Sequence, residues 1–347
     1  MAIKNADLHH RFRQACCLAV ATIAGSINAA MADSAGQSAA GNYELEEIVV
    51  TATRRPERAF EMPYSVSSQD WRRLQEQRQV RTIPESMGET TSVMVQKTGH
   101  GQGSPYIRGF TGLRTLFLID GIRLNNSTFR EGPNHYWNTV DPFRVERLEL
   151  LKGPSSVLYG SDAIGGTVNA ISRHSAPAGS GTNLFERLVI RGSTAEQSLV
   201  VRPELAWSGD VFSVRGGVSW KNHGDLIAGG STGEQPKTGY DEVDADFRLT
   251  ADLGDGRSLV AVLQRVNQDD AWRVHKTVFG KSWQGTSVGN ELQRSLDQDR
   301  TLTYLQYHAA DIGLDEGSLV LSLSYHDQDE SRVRIRSDGR KDIQGTN

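Results

Sequence analysis

Cysteine is scarce. The 347-residue chain has two, Cys16 and Cys17, both near its start. The rest of the chain therefore has no material for a disulfide scaffold or a thiolate metal site. Long apolar runs are also missing: hydrophobic residues make up 37% and mean hydropathy is −0.46, which excludes a bundle of membrane helices. A transmembrane barrel is not excluded, because its strands need only about 10 residues and alternate apolar with polar. Positive charge is not in excess. The formal net charge of −4 is no footprint of nucleic-acid binding. Enzyme motifs are absent too. Gly101-Gln102-Gly103 starts like a dinucleotide fingerprint, but Tyr106 stands where the third glycine belongs. There is no phosphate-binding loop, no HExxH and nothing that positions a Ser–His–Asp set. What is plentiful is glycine, 35 residues against 10 prolines, a balance that suits a loop-rich β protein.

The first 32 residues read as an export signal. Lys4, Arg11 and Arg13 supply a positive start, Ala15 to Ala24 a short apolar stretch, and Ala30-Met31-Ala32 a small-residue cleavage site. The stretch is too short for a membrane anchor, and Thr22, Ser26 and Asn28 dilute it. Residues 33–55 form a small, polar leader that ends in a β-branched run, Glu47-Ile48-Val49-Val50-Thr51-Ala52-Thr53, closed by Arg54-Arg55-Pro56. An extended segment standing alone between a polar leader and a proline can be captured as an added strand by another protein's sheet.

Residues 56–175 alternate short helical and strand signals, as a small α+β domain does. Ser67 or Ser68 is placed to cap a helix from Gln69 to about Arg78, with Trp71 and Leu74 on one face. Ser92–Gln96, Pro105–Arg108, Leu116–Ile119 and Arg147–Leu151 read as strands. After Ala176–Gly181 the pattern changes. Over 183–347, runs such as Val243, Ala245, Phe247, Leu249, Ala251 and Leu253 alternate with Asp244, Asp246, Arg248, Thr250 and Asp252. A period of two predicts a sheet apolar on one face and wet on the other. The segments near 185–191, 257–266 and 301–308 alternate less cleanly. Tight connections at Ser208-Gly209-Asp210 and Gly254-Asp255-Gly256 take turns with long stretches at 222–240 and 267–299. Short turns on one side and long loops on the other are the habit of outer-membrane barrels, and less that of a soluble sandwich.

Four motifs carry a resemblance. Glu47 to Arg54 (EIVVTATR) resembles a TonB box. Ile107-Arg108-Gly109-Phe110 and Leu118-Ile119-Asp120-Gly121-Ile122-Arg123 resemble the IRGF and LIDGIR elements of a plug domain. Val145 to Ser172 resembles the long plug signature, with Glu146, Arg147, Glu149, Gly153, Pro154, Tyr159, Gly160, Gly165 and Gly166 in place. Together, and in this order, they make the chain similar to the TonB-dependent outer-membrane receptors over residues 47–172. The resemblance implies an α+β plug domain followed by an antiparallel transmembrane β-barrel. About seven strands can be counted, with Asp327–Asn347 in an outer loop. An odd, unclosed set of strands leads to the expectation that the barrel is incomplete here.

The resemblance also implies a function. A scarce solute would bind the outer mouth, and TonB, with its inner-membrane energising complex, would take hold of residues 47–53. The setting would be the lipid of a Gram-negative outer membrane, with no cofactor, enzymatic activity or nucleic-acid partner. Charges such as Arg108, Glu146, Arg147 and Glu149 would help dock the plug on the barrel wall. The expected solute is an iron complex, haem or siderophore, with cobalamin, an oligosaccharide or a non-transporting adhesin as alternatives. Six residues stand out as ligand candidates: His100 between two glycines, His135 beside Tyr136 and Trp137, Arg123, and His275 in the long 267–299 stretch. Imidazole and tyrosinate are competent haem-iron ligands, while Arg123 and the aromatics would suit a siderophore.

Overall fold

The computed structural model describes residues 49–50, 57–58, 63–127, 131–133, 135–174, 182–282, 287–310, 312–313 and 317–346. The expected signal peptide, most of the leader, the Ala176–Gly181 junction, and Glu47, Ile48, Thr51, Ala52 and Thr53 lie outside the described residues. Val49–Val50 (β1) does not stand alone as its sequence suggests. It pairs antiparallel with Glu57–Arg58 (β2), Val49 opposite Arg58 and Val50 opposite Glu57.

The next strands are β3 (Ser65–Asp70), β4 (Val93–Gly99), β5 (Gln102–Ile107), β6 (Thr115–Ile119), β7 (Ile122–Arg123), β8 (Val145–Lys152) and β9 (Gly166–Ser172). Five of them form a mixed sheet in the order β3-β8-β9-β6-β7, with β6 and β9 parallel, while β4 and β5 make a separate hairpin. Asp120 and Gly121 join β6 to β7 in two residues, both at positive φ (51° and 79°). Such a turn matches the right-handed twist of the flanking strands, and Asp-Gly is a favoured pair for it. One prediction fails here. Gln69 does not open a helix, because β3 runs on to Asp70 in a ladder with β8. The helical turn covers only Arg72–Gln77, with Asp70 Oδ1 accepting from the Arg73 amide at 2.9 Å. Six backbone pairings outweigh the local helical spacing.

A second sheet follows: β10 (Asn183–Ser193), β11 (Ser198–Ser208), β12 (Phe212–His223), the small hairpin β13 (Leu226–Ala228) and β14 (Gly233–Gln235), then β15 (Tyr240–Gly254), β16 (Arg257–Trp272), β17 (Gln293–Ala310), β18 (Ser318–Ile335) and β19 (Lys341–Thr346). The hairpin aside, these pair in chain order as one eight-stranded antiparallel sheet with β10 and β19 at its edges. The count of about seven is therefore one short. Residues 327–346 are not an outer loop, because β18 reaches Ile335 and β19 returns alongside it. Likewise both ends of the 267–299 stretch are strand, leaving 273–292 as the connection. Short turns lie at one end of this sheet and long loops at the other.

The alternation sorts the two faces. Leu199, Leu205, Val243, Phe247, Leu263 and Leu305 lie exposed on one, while Arg202, Lys221, Asp244, Gln264 and Arg300 are buried on the other. The buried face is covered by the first domain. Its core of Leu74, Ile83, Ile107, Phe117, Trp137, Val145 and Leu148 continues without a break into Val260 and Val262 of β16 and Leu302 and Tyr304 of β17. Each such side chain contributes roughly 1.5–3 kcal/mol by leaving water, so the plug sits on an apolar saddle as well as on charges.

Candidate functional site

The chemistry of this molecule is concentrated where the plug meets the inner face of the sheet. Asp141 lies just before a helical turn, Pro142–Arg144, and accepts from the Phe143 amide at 3.1 Å. That local cap fixes its carboxylate against the wall. There Oδ2 accepts from Ser219 Oγ (2.6 Å) and Arg202 Nη1 (3.2 Å), and Oδ1 is 3.0 Å from Lys221 Nζ. Lys221 also reaches Glu242 at 2.5 Å and Asp244 at 2.6 Å, and Arg202 reaches Asp246 at 2.7 Å and Glu204 at 3.2 Å. Arg215 pairs with Glu204 from the neighbouring strand. The network thus ties one plug carboxylate to four barrel strands, β11 and β12 directly, β15 through Lys221 and Arg202, and β16 through Gln268, which donates to Glu242 at 2.9 Å.

Other contacts repeat the theme. Tyr304 donates to Asp120 Oδ2 at 2.5 Å and Gln306 to the Asp120 carbonyl at 3.0 Å. Arg300 Nε donates to the Thr139 carbonyl at 2.9 Å, and Gln102 to the Ala271 carbonyl at 3.0 Å. Arg81 Nε donates to Glu196 Oε2 at 2.7 Å.

Burial pushes the Asp141 carboxyl up, but Lys221, Arg202, the Ser219 hydroxyl and the Phe143 amide outweigh it and hold it at about 2. Asp120 also lies below its usual range. Burial opposes this, and Arg248, Arg144, Ser172 and Tyr304 win. Glu85 is lowered in the same way, against burial, chiefly by Lys97 and Arg81. All three stabilise the folded state as anions, fully so above the free-carboxyl range near 4. That stabilisation drains as pH falls toward the depressed values. Thermal unfolding should therefore be insensitive to these groups from pH 7 to about 5 and should fall steeply below about pH 4. A melting temperature that holds level down to pH 3 would contradict the assignment.

Among the described residues, the contacts shown for the charges expected to dock the plug lie within the plug or at its surface. Arg147 pairs with Glu149 at 2.8 Å, Glu146 accepts from the His174 amide at 2.9 Å, and Arg108 is exposed. The first two are contacts within the plug. Docking falls instead to Asp141, Asp120, Arg81 and backbone carbonyls. Sequence offers little sign of this, because Asp141 and Lys221 look like ordinary surface charges until the sheet closes over them.

The ligand candidates scatter. His100 does not project into an open cavity. It is 6% exposed, with Nε2 2.8 Å from Glu196 Oε2. The flanking glycines serve close approach rather than display. A Cβ on Gly101 would lie 2.9 Å from the Tyr240 ring, and one on Gly99 would lie 2.1 Å from the Trp272 carbonyl oxygen. His135 is buried, 2.8 Å from Glu330. Tyr136 and Trp137 are core residues, Trp137 against Phe117 with ring centres 4.6 Å apart, so neither can stack on a porphyrin. Arg123 is committed to Asp162 at 2.6 Å and to the Ser161 carbonyl at 2.8 Å. It follows the Asp120 turn, which docks on the short-turn half of β17, away from the long loops. Only His275, among these six, stays exposed at the long-loop end, 3.1 Å from the Thr98 carbonyl.

Residues 58–167 match the TonB-dependent Receptor Plug Domain family. The vitamin B12 transporter BtuB of Vibrio vulnificus (strain CMCP6) is 33% identical over 133 residues, 38% of this chain and 21% of that protein. The fold resembles the copper transporter OprC (TM-score 0.61, 14% identity, 77% of this chain and 38% of that one). It also resembles the siderophore receptor PiuA from Acinetobacter baumannii (0.59, 21%, 80% and 38%). The ferric enterobactin receptor PfeA is similar too (0.57, 19%, 82% and 45%). The chain thus spans about a fifth of the curated relative and about two-fifths of the solved receptors.

Proposed function

We propose that this chain, which carries a TonB-dependent receptor plug domain and the barrel strands that follow it, serves active uptake of a scarce solute across a bacterial outer membrane. The observation that carries this reading is the two-faced sheet. Its charged face is filled by the plug, and its other face exposes Leu199, Leu205, Phe247, Leu263 and Leu305, as a lipid-facing wall would. The long-loop end faces outward and the short-turn end faces the periplasm. Residues 1–32 direct export, and residues 47–53 present the extended segment that TonB captures by strand addition.

The cargo we assign is an iron complex of the siderophore type, the class named for two of the similar receptors. Haem is the weaker form of this reading, because His100 and His135 are buried against carboxylates. Cobalamin is a second reading, favoured by the identity to the B12 transporter in the plug. The test is accumulation of radiolabelled ferric siderophores and of labelled cobalamin by cells expressing the receptor, with and without an energised inner membrane. Energy-dependent accumulation of iron is expected. Accumulation of cobalamin but no iron complex would overturn the cargo assignment, and a Soret shift on adding haem would reinstate haem.

A further inference from the structure

At the long-loop end, three side chains from three separate elements converge. His100 comes from the turn between β4 and β5 of the plug, Glu196 from the turn between β10 and β11, and His223 from the last position of β12. One ligand atom from each lies within 4.8 Å of the other two. His100 Nε2 is 2.8 Å from Glu196 Oε2, and His223 Nδ1 is 4.0 Å from Glu196 Oε1. The two imidazoles meet nearly edge to face, with ring centres 5.5 Å apart. All three residues are buried, at 6%, 2% and 2% exposure.

Burial makes the next fact telling. Neither ring nitrogen of His223 has a hydrogen-bond partner among the described residues, nor does His100 Nδ1. Buried polar atoms are ordinarily satisfied, and each exception calls for an explanation. Tyr240 packs on both rings, 4.6 Å from His223 and 5.6 Å from His100, and closes the site to bulky ligands. Glu196 is held in place by two further donors. Arg81 takes Oε2 and Ser198 Oγ donates to Oε1 at 2.9 Å. Arg81 is itself shared with Glu85 at 2.9 Å, so its charge is not left facing the cluster alone.

We propose that His100, Glu196 and His223 bind a divalent transition-metal ion, Zn²⁺ being the best match, which staples the plug apex to the barrel wall. Two imidazoles and a carboxylate are a borderline N,O set, unsuited to Ca²⁺ or Mg²⁺, which prefer oxygen. Ligand atoms around a tetrahedral Zn²⁺ stand about 3.3 Å apart, given bonds of about 2.0–2.1 Å. The present separations bracket that value, so small side-chain shifts suffice. The three ligands are buried, so a bare ion and not a bulky chelate suits them, which separates this site from the cargo assigned above. The ion site stands or falls independently of that assignment.

The experiment is metal titration of the purified protein in detergent after stripping with a chelator. Zn²⁺ by calorimetry and Co²⁺ by its visible d–d bands are each expected to saturate at one ion per chain. His223→Ala and His100→Ala should each weaken binding at least tenfold, and His275→Ala should leave it unchanged. Near-UV circular dichroism reports whether each variant folds. X-ray absorption on the Zn²⁺-loaded wild type gives a reading that needs no variant, and a first shell containing two imidazoles is expected. No saturable binding by folded wild type, an oxygen-only shell, or wild-type affinity in folded His223→Ala or His100→Ala would each overturn the proposal.

Discussion

Val50→Pro is expected to abolish energy-dependent uptake while leaving solute binding at the cell surface intact. Strand addition works through main-chain N–H groups, and proline has none. The structure sharpens the test. Val50 pairs with Glu57 in a ladder only two residues long, too short to hold on its own account. Proline at this position also weakens that ladder and frees the segment. If release of the segment were all that coupling requires, the variant would transport as well as wild type or better. If capture by a partner's sheet is required, transport falls to the level of cells without an energised membrane. Val50→Ala keeps the N–H and should retain uptake. Normal accumulation by the proline variant would sink the assignment of residues 47–53.

The second large effect belongs to Lys221. Its ammonium is buried among Asp141, Glu242 and Asp244, all within 3.0 Å. Lys221→Met removes the one cation that these three carboxylates share and fits a side chain of similar length. Breaking a buried charge cluster by deleting one partner costs about 3–5 kcal/mol, because the remaining charges are left uncompensated. Asp141→Asn should be milder, about 1–3 kcal/mol. There Arg202 keeps Glu204 and Asp246, Lys221 keeps Glu242 and Asp244, and the asparagine oxygen still accepts from Ser219. Unfolding followed by near-UV circular dichroism, together with protease protection of the plug, should rank wild type above Asp141→Asn and Asp141→Asn above Lys221→Met. Equal stability of Lys221→Met and wild type would mean that the network is not what seats the plug.

The elements that sequence reasoning found and missed divide along a physical line. β11, β12 and β15 were legible because outward-facing and plug-facing positions differ in polarity, so a period of two survives in the letters. β16 and β17 read poorly for the opposite reason. Val260, Val262, Leu302 and Tyr304 face inward onto the plug core and are apolar, so both faces look alike and the alternation fades. β19 escaped because Lys341–Thr346 is short and polar, and it becomes a strand only by pairing with residues 330–335 of β18. The Asp120–Gly121 turn was readable because two residues of backbone preference decide it. The helix proposed from Gln69 failed because pairing with β8 is a contact across about eighty positions of chain.

The two-part plan follows from the letters alone: the plug motifs, the strand alternation, and the short turns and long loops. These are local matters of backbone preference, spacing and polarity, and they are written residue by residue. Packing alone settles which charges dock the plug, that His135, Tyr136 and Trp137 are interior, and that His100 meets Glu196 and His223. These depend on side chains far apart in the chain, 61 positions for Asp141 and Arg202 and 195 for His135 and Glu330. Their burial and partners arise when the plug is enclosed by the sheet, and no local pattern encodes which distant residue will be opposite.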